Sequence, residues 1–149
     1  MRNTTPCKLS PGHSRAGTST VEFAVVAPLF FVILLGIVEF SWALCSTNVA
    51  TNLAREAVHR AIMDDQTESG ITKYSTELGE SLFRISASKI EVVMSVTDRY
   101  GNAREDYDDA IQGDLIHVTV SVPYSEVSLI PGNWLGSSKI RGTATMMKI

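Results

Sequence analysis

Glu22 and Glu39 bracket a run of 16 residues with no ionisable side chain. A carboxylate inside lipid is costly and usually paired, so each is a candidate functional group. Glu22 stands at the edge of the run, and two readings stay open for it: a paired intramembrane acid, or an acid solvated at the headgroup boundary. For Glu39, near the other end, the favoured reading is a solvated rim residue. The remaining reactive side chains form weaker patterns. His13, His59 and His117 are scattered, with no spacing that suits zinc. The loop from Asp98 to Asp114 also carries Glu105, Asp106, Asp108 and Asp109. Clustered carboxylates suit calcium, but the spacing is not that of an EF-hand, so a solvated hairpin connection is expected. No nucleophile elbow or phosphate-binding glycine loop is present. Neither a catalytic centre, a metal site nor a cofactor site is expected. Cys7 and Cys45 are the two cysteines. They are too few for a disulfide scaffold.

These groups sit on a chain of 149 residues with a formal net charge of -3. That length allows one domain. The charge is unevenly placed. Arg2, Lys8 and Arg15 precede Thr18 with no acid among them, and all 16 acidic residues follow. A basic leader ahead of an apolar run is a targeting or topology signal. The acidic remainder gives no basic footprint for nucleic acid, so none is expected as a partner.

From Phe23 to Leu44 only Pro28, Gly36, Glu39 and Ser41 fall outside the hydrophobic class. One helix over those residues would rise about 33 Å, enough to cross a bilayer. Trp42 falls where an aromatic belt is expected. The competing reading is a buried core helix, for which so short a chain offers little cover. The basic flank comes first, so the N-terminus is expected in the cytoplasm and the C-terminal part outside. A secretory signal cut after Ala43 is a further alternative, but its leading segment would be long and would contain Glu22.

The stretch Arg15-Ala16-Gly17-Thr18-Ser19-Thr20-Val21-Glu22-Phe23 joins a basic leader ending in Gly to a Glu five residues on and an aromatic after it. It resembles the prepilin-peptidase site of type IV pilins. Together with Pro28-Leu29, Leu35-Gly36-Ile37-Val38-Glu39-Phe40 and Ala54-Arg55-Glu56-Ala57, it resembles the TadE-like minor pilins of tight-adherence (Flp) pilus systems. Ala57 stands where that family usually has Gly. Gly113-Asp114, the run Val118 to Tyr124, and Thr143-Ala144-Thr145-Met146 add a looser similarity. The resemblance implies cleavage between Gly17 and Thr18, with Glu22 and Phe23 completing the processing and assembly motif. In pilins the Glu is thought to neutralise the N-terminus of a neighbouring subunit. The resemblance also implies a peptidase substrate rather than an enzyme. Its partners would be the prepilin peptidase, other pilin subunits, the tight-adherence machinery and membrane lipid. Its place would be the inner membrane and, after assembly, a surface pilus. An unprocessed single-span protein with an external binding head is the alternative.

Three parts are therefore expected: a leader at 1–17, a membrane helix at 18–44 and an extracytoplasmic head at 45–149. The head reads as α+β. Val49, Ala50, Leu53, Ala54, Ala57, Val58, Ala61 and Ile62 recur at helical spacing, so one helix is expected from about Val21 to Ile62. A short helix is expected from Thr72 to Arg84, with Tyr74, Leu78, Leu82 and Ile85 as its apolar line and Gly79 as a weakness. Alternating patterns predict three strands, at 89–97, 115–122 and 138–147. An antiparallel meander is the simplest sheet.

Overall fold

The structure, a computed structural model, describes residues 16–63, 67–104, 107–129 and 138–149, with side chains from Ser19 onward. The leader, with Cys7 and His13, lies outside them, as do Glu105 and Asp106. The chain divides into two compact units, Met1–Ile37 and Val38–Ile149.

Helix α1 runs over Ala16–Met63, close to the expected extent. Its part in the first unit is apolar and exposed. From Ser19 to Ile37 every side chain is exposed except the half-buried Ala27. The helix is long and apolar enough to cross a membrane, with a mean hydropathy of 2.7 over its most apolar window. None of that window is buried, which sets it apart from the core helix of a soluble protein. Pro28 is accommodated within the helix.

In the second unit α1 becomes amphipathic. Ala50, Leu53, Ala54, Ala57, Val58 and Ala61 are all buried, while Asn52, Arg55 and His59 face out. The three- and four-residue spacing places the buried set on one stripe. Helix α2 spans Glu68–Phe83 and ends at Arg84, whose left-handed backbone lets its N–H reach the Glu80 carbonyl. A 3-10 turn at Ala87–Lys89 leads into the sheet.

The sheet has strands β1 (Glu91–Thr97), β2 (Ala103–Arg104), β3 (Leu115–Pro123) and β4 (Lys139–Met147). Their order is β2-β1-β3-β4 and every pairing is antiparallel. The expected three-strand meander is thus present, with β2 added at one edge. Two residues are too few to carry a period-two signal. Between β3 and β4 lies a four-residue helix, α3 (Tyr124–Val127).

One sheet face is apolar. Val96, Ile116, Val118, Val120, Val122 and Ile140 are buried, joined by partly buried Val92, Met94, Ala144 and Met146. The alternate residues form a polar face of Ser95, His117, Thr119, Thr143 and Thr145, with His117 Nδ1 2.7 Å from Thr145 Oγ1. The core lies between the apolar face, the α1 stripe and α2.

The two helices contact the core through glycines. A Cβ at Gly142 would lie 2.2 Å from the Ala50 carbonyl carbon and the Thr51 nitrogen, so the backbones of β4 and α1 meet there. At Gly79 a Cβ would meet Ile90 Cδ1 at 2.7 Å and Leu53 Cδ2 at 2.9 Å. Gly79 is therefore a packing position rather than a weakness, and it adds to the expected face of α2. Ile71, Ser75 and Gly79 are buried, whereas Leu82 is 51% exposed. Of the expected line, Leu78 and Ile85 pack against the core and Tyr74 is half-buried, so only Leu82 falls off it; the small residues Ser75 and Gly79 make the closest contact.

Tyr107 secures the end of α1. It is buried, and its hydroxyl donates to the Ala61 carbonyl at 2.8 Å. Carbonyls in the last helical turn have no partner within the helix. Tyr107→Phe is expected to cost about 1–2 kcal/mol in urea unfolding of the detergent-solubilised chain. An unchanged midpoint would mean that water replaces the hydroxyl.

Candidate functional site

Gly17 and Thr18 lie in the first turn of α1, and Glu22 and Phe23 in the next. Glu22 is exposed, and Phe23 is 71% exposed. On a helix, positions 18 and 22 are one turn apart along the same side. The four motif residues thus share one short stretch of helix.

A second constellation joins α1 to the base of the head, and the sequence reading did not find it. Glu39 is half-buried rather than solvated. Its Oε1 accepts a hydrogen bond from the Tyr124 hydroxyl and another from the Ser128 hydroxyl at 2.7 Å. Three residues along the helix, Trp42 Nε1 donates to the Val127 carbonyl at 2.6 Å. The groups converge because positions 39, 42, 43, 46 and 50 follow one side of α1, continuous with the buried stripe. Ala43, Ala50, Tyr124, Val127 and Ile140 form a small apolar cluster beside them. The Glu39 carboxylate and burial together hold the Tyr124 phenol above its ordinary pKa of 10.0, since ionising it would place two negative charges side by side. Tyr124 therefore remains a donor through the physiological range.

The acidic loop is not simply solvated. Asp98 Oδ1 accepts from the N–H groups of Tyr100 (2.8 Å) and Asn102 (2.9 Å), closing the turn between β1 and β2. These bonds and the Asn102 side chain hold its carboxyl below the usual value. Asp114 is 2% exposed, accepts from the Ile111 N–H at 3.0 Å and lies 2.7 Å from Arg104 Nε. It corrects the expected solvated connection, because this carboxylate has a built internal role. Charge counting along the loop cannot separate one buried acid from its exposed neighbours. Cys45 is a free, exposed cysteine on α1.

The described residues define a class: an α+β head on a helix whose N-terminal part is apolar and unburied. Comparison with known proteins gives a similarity over part of the chain. Residues 17–59 match the family model described as TadE-like protein, and the chain is TadE-like over that stretch. No curated protein and no solved structure matches the chain. The match bears out the resemblance read from the sequence, and it suggests a pilus-associated protein. Taken with the exposed apolar helix, it indicates a membrane-anchored protein.

Proposed function

We propose that the chain is a minor pilin or pseudopilin subunit for assembly of a tight-adherence pilus, cleaved by a prepilin peptidase after Gly17. The observation that carries this reading is the TadE-like match, which begins at Gly17 itself and runs through the apolar helix. Before assembly the helix lies in the inner membrane, its N-terminus cytoplasmic and its head outside. The +3 charge of the leader against an uncharged outer flank supports that direction.

Cleavage frees an α-amino group at Thr18. Glu22 of one copy is then available to pair with that amine on a neighbour. In lipid such a pair replaces an unpaired carboxylate, and the exposed apolar side chains supply dispersion contacts to adjacent helices. Lipid itself offers little hydrophobic drive between helices, so polar pairing and shape select the partner.

Deletion of the chain in its host is expected to reduce surface pili at least tenfold by electron microscopy. Pilus numbers recover with the wild-type chain. Undiminished pili in the deletion strain would refute the role.

A further inference from the structure

We infer that Glu39, Tyr124, Ser128 and Trp42 form an interfacial clasp that fixes how deep α1 sits in the bilayer, and so holds Glu22 within the hydrocarbon. The inference rests on the membrane reading above. Composition alone lets the span run to Leu44. The clasp ends it earlier. Glu39 and Trp42 are bound to the 124–128 segment of the head, and Ser46 and Ala50 beyond them are buried against it. A head carrying Ser125, Glu126 and Lys89 at this end, with Lys89 Nζ 3.3 Å from Glu126 Oε1, belongs in water and headgroups. The hydrocarbon core therefore meets α1 no further along than about Val38. Phe40 and Trp42 then occupy the headgroup layer, where aromatic side chains are favoured.

Counting back fixes the other boundary. A core about 30 Å thick takes about 20 helical residues. From Val38 this reaches Ser19. Glu22 then lies about one helical turn inside the lipid, not at its edge. The clasp at one end of the helix thus favours the paired reading of Glu22 at the other, because a partner relieves the cost of a charge at that depth. Glu39 has no such need, because two hydroxyls of its own chain donate to it.

Labelling of the full chain in membrane vesicles with a membrane-impermeant maleimide tests the register. Single cysteines are placed in a background of Cys7→Ser and Cys45→Ser, and native Cys45 alone serves as the reference. Ser41→Cys is expected to label within threefold of Cys45. In Glu39→Leu, which loses the clasp and lengthens the apolar run, Ser41→Cys labelling is expected to fall at least tenfold. Protection of Ser41→Cys in the parent, or unchanged labelling in Glu39→Leu, overturns the inference. Val32→Cys reports on the membrane reading separately: it stays unlabelled if α1 spans, and its labelling would refute the span itself. Hydrogen exchange tests the clasp directly. In Tyr124→Phe/Ser128→Ala the Ser128 amide is expected to exchange at least tenfold faster, with β3 amides unchanged as the control for folding. An unchanged Ser128 amide would show that the hydroxyls bind nothing that matters.

Discussion

Gly142→Leu is expected to leave the head unfolded, and Gly142→Ala to destabilise it by about 3 kcal/mol or more. The reason is the class of atom that a side chain would meet. At Gly142 the obstacles are the Ala50 carbonyl and the Thr51 nitrogen, all within 2.5 Å of an added Cβ. These are helix backbone, and no rotamer change moves them. Relief requires α1 to lift off β4, which would open the contacts of Ala50, Leu53 and Ala54 beneath it. A domain of this size has about 5–15 kcal/mol of total stability, so the leucine variant exceeds what the head can absorb. For the alanine variant, a loss of that size lowers the melting temperature by roughly 10 °C or more. Calorimetry of both variants in detergent measures the effect. Gly36→Ala is the control, since nothing lies within 4 Å of its added Cβ. Equal stability of Gly142→Ala and the parent would mean that α1 and β4 are not in backbone contact at this position.

Gly17→Val is expected to suppress maturation by on the order of a hundredfold while leaving membrane insertion intact. The two effects separate because they depend on different parts of the chain. Insertion depends on the apolar run and the basic flank, and neither changes. The proposed cleavage depends on fit at one peptide bond, where a β-branched side chain replaces a hydrogen. Misplacement of a reacting bond by even 1 Å can cost about a hundredfold in rate. Pulse-labelling with carbonate extraction reads both outcomes in one experiment. The variant should remain in the membrane pellet at full length while the parent shortens by 17 residues. Equal shortening would move the site away from Gly17.

Much of the fold was legible because it follows from periodicity. The α1 stripe from Ala50 to Ala61 and the apolar faces of the three long strands repeat at fixed spacing, and burial obeyed that spacing. Where contact was made by small residues, apolar periodicity missed it. Gly79 and Ser75 make the closest contact of α2, and Leu82 falls off the packed face, since close approach favours the small side chain. Gly142 sat correctly on the apolar face, but the sequence offered no sign that helix backbone lay against it. The clasp was illegible for another reason. Glu39 and Tyr124 are 85 positions apart, and hydrogen bonding at that separation leaves no local pattern. Pro123 ahead of Tyr124 was visible as a turn signal, yet it did not identify a partner. Asp114 was hidden in the same way among acids of equal charge.

The proposed processing motif is of another kind: Gly17, Thr18, Glu22 and Phe23 form a linear pattern within one stretch of α1. Their chemistry is therefore tested on the mature protein itself. N-terminal sequencing of the chain, purified from cells with an active prepilin peptidase, is the most direct measurement. The account predicts Thr18 as the first residue. Recovery of intact Met1, or of Leu44 after a cut at Ala43, would contradict it.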